Sequence, residues 1–534
     1  MPFFYTQNTQ YFKREKEREM KFKKLLAKTA VSAAVMAMAL CPASVSASTQ
    51  ASSMPSAEDT QTIAVTNIEH GATVKAYKIA DAGYSSAGLT GYETVAGASI
   101  ADLEEPTLEE VQAITCGIQD GSLVLPALEL SDVTPADSHQ LGDGSSACTY
   151  RSGDLGAGMY LVLVKGVSGN IYNPAIVSIG YDNESKICAG SLDMSTGSWT
   201  VTGGVTEVKH SKVTVTKETE DGIRSFSYND TIDYVVTTAI PSYDESVYKN
   251  VTFRMVDTAD PGLTFNESSV SVEDAAGTVV DKTNYVVSLT GQTLTVDFKS
   301  AWVLSHGGTS VTIKYEGILN EDAGLDFQGN YNRVKIVYSN DPSSQGGATA
   351  YDDPSDPGIP KAESVVYSFD LSFIKVDSKD SELALPGAEF SLTGTNTTGD
   401  DVSYLESSND DGIVHFSGLS EGTYTMIETK APEGYAVNQN TYTVTISPVY
   451  GSDKTLSSYT VTITDQDGND FMNKTYTSTP LADGKDGNIP NTAFKNLPAT
   501  GGTGTVIYSI IGITAILAGT ILVTGRRASR PEKG

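Results

Sequence analysis

Two stretches of the chain hold residue types whose order could support chemistry. The first is Leu497-Pro498-Ala499-Thr500-Gly501, followed by an apolar run from Val506 to Val523 and then by Arg526, Arg527, Arg530 and Lys533. As a helix that run spans roughly 27 Å, close to the ~30 Å hydrocarbon core of a bilayer. The basic tail, with Glu532 its one acid, favours the cytoplasmic side and leaves everything ahead of Val506 outside. Pro498 has a fixed φ and disfavours helix at Leu497, so the pentapeptide is an extended segment open to an enzyme cleft. The second stretch runs from Tyr424 to Tyr435. Strand alternation puts Tyr424, Met426 and Glu428 on one face, so a carboxyl points where its neighbours are apolar. On spacing alone, Glu428 reads more simply as a solvated glutamate near a strand end.

Other constellations are plain. Asp465-Gln466-Asp467-Gly468-Asn469-Asp470 resembles a calcium loop, but its glycine is misplaced and no glutamate closes it, which makes it a polar turn. The five histidines are scattered, and no nucleophile–base–acid set or phosphate loop occurs. Neither a metal nor a cofactor is expected. Cys116, Cys148 and Cys188 are odd in number and irregular in spacing, so neither a disulfide framework nor a zinc site is expected; one bridge and one buried thiol is the modest reading.

The elements that must position these residues are strands. With 534 residues the chain is too long for one core, and its net charge of -30 argues against a nucleic-acid or anionic-membrane surface. Only 19% of residues are charged, while Thr, Ser, Val, Tyr and Gly abound, which favours β-rich domains. Lys21, Lys23 and Lys24 precede the apolar stretch Ala30 to Leu40, and Val45-Ser46-Ala47 offers small residues for cleavage before Ser48. Residues 1–47 therefore read as a secretory signal peptide, with Met20 an alternative start. Residues 48–205 read as a β-sandwich with a helical insertion, the helix opening at Thr107 and ending at Gly117. Residues 206–360 form a second sandwich, closing in a Gly-, Pro- and Asp-rich linker from Asp341, and residues 361–495 form a third. Residues 496–534 carry the pentapeptide, the apolar run and the basic tail.

In its order of parts, the C-terminal segment resembles the cell-wall sorting signal of Gram-positive bacteria, the substrate of sortase transpeptidases. The resemblance implies that a sortase cysteine cuts between Thr500 and Gly501, holds the Thr500 carbonyl as a thioester and passes it to an amine. Tyr424 to Tyr435 resembles the E-box of pilin domains of the collagen-adhesin B type, with Met426 in place of leucine. In such domains a buried lysine attacks the side-chain amide of an asparagine beside a buried carboxyl, and the product is an intramolecular isopeptide bond. Burial supplies the reason: desolvation deprotonates the amine and protonates the acid. The resemblance assigns the amine to Lys375, the acid to Glu428 and the amide to Asn491, with Asn473 the competing amide. In the second domain it assigns Lys217, Asp257 and Asn340, with Asp233 and Asn332 the nearest substitutes.

The whole exported chain thus resembles a wall-anchored major pilin of tandem immunoglobulin-like sandwiches, of the collagen-adhesin A and B kinds. Such pilins join Thr500 to a lysine between the first and second domains, here Lys209 in Val208-Lys209-His210-Ser211-Lys212, with Lys212 second. The resemblance implies sortase, identical subunits, peptidoglycan and host surface molecules as partners, at the surface of a Gram-positive bacterium. A monomeric wall-anchored adhesin with the same domains is the alternative. A wall-anchored enzyme is disfavoured by the missing catalytic set.

Overall fold

Alternation of side chains builds almost every element. In Thr231–Ala239, Ile232, Tyr234, Val236 and Thr238 are buried and their neighbours are not, the period-two pattern of a strand half sunk in a core. The computed structural model describes residues 51–494 except 53, 87, 104, 134–140, 142–146, 184–185, 188–198, 246, 343–349, 352–358 and 479–485. The expected signal peptide, Cys188, the pentapeptide, the apolar run and the basic tail lie outside these residues. Among the described residues no helix is long and apolar enough to cross a membrane.

The first domain is built on β1 (Ala64–Ile68), β2 (Thr73–Ser85), α1 (Leu108–Asp120), β3 (Ala127–Val133), β4 (Cys148–Arg151), β5 (Gly158–Lys165), β6 (Asn170–Tyr172), β7 (Ala175–Asn183), β8 (Val205–Glu207) and β9 (His210–Lys212). Its main sheet runs β7-β5-β2-β3-β4-β1-β8, antiparallel except for β1 and β8. β5 is apolar without a break because both faces are covered: Tyr160, Val162 and Val164 enter the main core, while Leu161 and Leu163 meet Ile114 of α1. The helix starts on a capping box between Thr107 and Glu110, as its sequence dictates. It does not stop at Gly117 but runs one turn further to Gly121, whose φ of 76° suits glycine. Gly117 serves packing instead, since a Cβ there would come within 2.8 Å of the Leu123 side chain.

The second domain is a sandwich of two antiparallel sheets. One is β10 (Val215–Thr219), β11 (Thr231–Ala239), β16 (Ser310–Leu319) and β13 (Leu263–Asp274). The other contains β14 (Tyr285–Thr290), β15 (Thr293–Phe298), β12 (Phe253–Ala259) and β17 (Asn330–Ser339). The next strand, β18 (Lys361–Val366), pairs with β17 and so completes this second sandwich. The sequence reading had placed it in the third domain.

The third domain packs a small sheet, β22 (Ile413–Leu419), β19 (Phe369–Asp377) and β27 (Asn488–Asn491), against a larger one. The larger is β21 (Asp401–Ser407), β20 (Glu389–Thr395), β23 (Gly422–Lys430), β24 (Thr441–Tyr450), β25 (Leu456–Asp465) and β26 (Asp470–Tyr476). β19 and β27, the first and last strands, are parallel.

Candidate functional site

The third domain gathers three of the expected side chains in its core. The register of β19 and β27 sets Asp377 opposite Asn491, so Lys375, two residues back, shares a face with that asparagine. Glu428 comes across the core from β23, on the face that also buries Tyr424 and Met426. Lys375 Nζ donates to Asn491 Oδ1 at 2.7 Å and lies 3.4 Å from Glu428 Oε1. Asn491 Nδ2 donates to both carboxylate oxygens, at 2.8 and 2.9 Å, and the backbone N–H of Asn438 adds a donor to Oε2. The Lys375 and Glu428 side chains are both 0% exposed. Burial, opposed by Glu428, brings the Lys375 amine from its ordinary 10.5 down to about 8. Asn473, the competing amide, points to solvent on β26. Asn438 and Phe390, whose ring lies 5.3 Å from the amine, carried no signal in the sequence.

The second domain forms a parallel centre with a different amide. Lys217 stands on β10, and Asp257 meets it from the opposite sheet at 2.6 Å; both side chains are fully buried. Tyr315 of β16 accepts from Lys217 and donates to Asp257. Tyr234 and Tyr315, opposite one another on β11 and β16, stack beside the amine, which sits 4.9 and 5.1 Å from their ring centres. Sequence reading missed both rings, although inward alternation on two strands carries them. Burial again lowers the amine to about 8 and raises the Asp257 carboxyl, each against the pull of the other.

Asn340 is not in this centre. In the register of β12 and β17 Asp257 faces Val334, and Asn332, two residues away on the same face, reaches the site: its Nδ2 donates to Tyr315 at 3.3 Å. Asn340 lies six residues from Val334 the other way, roughly 20 Å along the strand. There it donates to the Gly166 carbonyl of the first domain at 3.2 Å. Asp233, the other substitute, is exposed.

The two centres differ in layout. In the third domain amine and amide share a sheet and the acid crosses the core; in the second, acid and amide share a sheet and the amine crosses. Either way a neutralisable lysine, a carboxyl and a primary amide meet in the buried core.

Lys209 and Lys212 lie on the segment joining the first two domains. Lys209 is exposed between β8 and β9, on a backbone pinned at both sides: Val208 takes a bond from Asn67 at 2.8 Å, and the Lys209 carbonyl one from Asn173 at 2.9 Å. Lys212 is half-buried opposite Asn170, whose amide is held by buried Glu69 at 3.0 Å. Cys116 and Cys148 are not joined to each other, so the expected bridge does not pair these two.

The fold and these centres define a class, tandem β-sandwich domains with internal lysine–acid–asparagine clusters, and comparison with known proteins finds domains of similar type. Residues 58–211 match the T6 antigen Ig-like domain, 212–345 the Sgo0707 N2 domain, 369–451 the SpaA prealbumin-like fold domain and 489–529 the LPXTG cell wall anchor motif. The chain is 26% identical to the trypsin-resistant surface T6 protein of Streptococcus pyogenes serotype M6, over 89% of this chain and 96% of that protein. The T6 backbone pilin structure of that serotype superposes with a TM-score of 0.61 at 24% identity, covering 83% of this chain and all of the other. The full-length major pilin SpaD of Corynebacterium diphtheriae gives 0.50 at 18% identity over the same shares. By these matches the chain is similar to LPXTG-anchored major pilins, and its anchor motif supports a cell-wall-anchored protein of the bacterial surface.

Proposed function

We propose that this chain is the repeating backbone subunit of a covalent pilus. The observation that carries the reading is the pair of buried lysine–acid–asparagine centres in successive domains ahead of an LPXTG anchor. The homology to a T6 protein, and the fold shared with a T6 backbone pilin, supports it.

In the third domain, Lys375 passes its proton to Glu428, 3.4 Å away, and the neutral amine attacks Asn491 Cγ. The Nζ–Cγ bond forms, the Cγ–Nδ2 bond breaks, the carboxyl gives its proton to the departing nitrogen, which leaves as ammonia, and the carboxylate so formed takes the second proton that Nζ sheds on becoming an amide N–H. The amide nitrogen already faces Glu428, which suits the acid to serving the leaving group. Lys217, Asp257 and Asn332 run the same exchange in the second domain, with Tyr315 relaying between amine and acid.

Between subunits, a sortase thiol takes the Thr500 acyl group as Gly501 departs, and the Lys209 amine of the next subunit displaces the thiol. Lys209 suits this role because it is exposed on a braced backbone, whereas Lys212 is half-buried. The apolar run holds the chain in the membrane until cleavage, and peptidoglycan receives the last Thr500. Wall extracts boiled in detergent should show a ladder of polymers that Lys209→Ala abolishes. Absence of a ladder in the wild type would favour a monomeric adhesin.

A further inference from the structure

Away from the lysine centres, the first domain draws three ligand-type side chains together from separate places in the chain. His70 lies on the turn after β1, Asp132 near the end of β3 and Cys148 at the start of β4. Strand register does this: Ile68 pairs with Cys148, and Asp132 with Tyr150 two residues on. His70 Nδ1 is 2.5 Å from Asp132 Oδ2, and one ligand atom from each of the three residues lies within 4.8 Å of the others. Cys148 is buried, and Asp132 Oδ1 is buried without a hydrogen-bond partner, which is a cost the fold otherwise avoids. His70 is exposed and leaves a path from solvent.

We propose that His70, Asp132 and Cys148 bind a zinc-class divalent cation, with water at the fourth position. A thiolate, an imidazole and a carboxylate are the ligand types that such a borderline-soft, tetrahedral ion takes, whereas calcium and magnesium require oxygen shells. Ligand atoms on a tetrahedral ion stand roughly 3.3–3.8 Å apart, given bonds of about 2.0–2.3 Å. Binding therefore opens the His–Asp contact by about an ångström and seats the sulfur at bonding distance. The Cys148 thiol, held up by burial and by the Asp132 charge, loses its proton to solvent as the sulfur–metal bond forms. The orphaned Asp132 oxygen gains a partner. The ion would tie the turn after β1 to the β3–β4 pair, and the end of β1 beside that turn carries Asn67, which braces the backbone next to Lys209.

The test is titration of the exported chain, purified reduced, with zinc and with cobalt as a spectroscopic probe. One equivalent should bind, cobalt giving a thiolate charge-transfer band that Cys148→Ser removes and Cys116→Ser leaves intact. His70→Ala and Asp132→Asn should each weaken zinc at least about tenfold. His70 is exposed on a turn, so its variant tests the site even if Cys148→Ser folds poorly. A wild-type chain that binds no zinc, a cobalt band that survives Cys148→Ser, or zinc affinity unchanged by His70→Ala would overturn the proposal.

Discussion

At the scale of residues, the chemistry rests on desolvation. A lysine amine in water is a cation and no nucleophile; burial brings Lys375 and Lys217 to about 8, where a facing carboxyl can take the proton. Each centre should remove one ammonia from the exported chain. Intact mass spectrometry should therefore show the loss of two ammonia molecules in the wild type and of one in Glu428→Ala or Asn332→Ala. Asn340→Ala should keep both losses, since its side chain serves the contact with Gly166. A single loss in Asn340→Ala would return the second crosslink to that residue. Legibility differed between the two centres for a physical reason. The third lies in a motif whose alternation carries Glu428 inward, and its lysine and asparagine sit on the domain's first and last strands. In the second, the asparagines of β17 look alike in sequence, and only the register of β12 with β17 shows which one meets Asp257.

At the scale of elements, a crosslink between Lys375 and Asn491 fastens the first strand of the third domain to its last, around a loop of 116 residues. By analogy with a disulfide, closing such a loop stabilises by about 5 kcal/mol in the chain-entropy model. Asn491→Ala should lose stability of that order in chemical unfolding, and it should gain a pH dependence absent from the wild type. The sign follows from the free amine: its folded pKa of about 8 lies below the ordinary 10.5, so between these values the unfolded chain holds the extra proton. Stability of the variant should rise with pH across that window and level off at its lowest below about 8, where both states hold the proton and the folded one carries a buried cation. A flat profile would mean that Lys375 is not the buried amine described here. Strand alternation made most of these elements readable in advance. It could not say which domain β18 joins, because pairing partners distant in sequence decide that, nor that three strand ends bring His70, Asp132 and Cys148 together.

At the scale of the whole molecule, the domains are joined by more than linkers. Asn340 and Gln119 bind the first domain to the second, the latter through the Val247 carbonyl at 3.0 Å. Asp230 takes a bond from Asn396 at 2.6 Å across the next junction, where Gly418 packs so closely on Tyr228 that a Cβ would come within 2.2 Å of the ring. Under the proposed chemistry, tension on a subunit would pass through its internal crosslinks, and the subunit bond would complete the covalent path. That bond is the central claim, and tandem mass spectrometry of protease-digested wall polymer tests it most directly. The account predicts a branched peptide in which the Thr500 carboxyl is joined to the Lys209 side chain. Branching at Lys212, or Thr500 found joined to peptidoglycan alone, would contradict it.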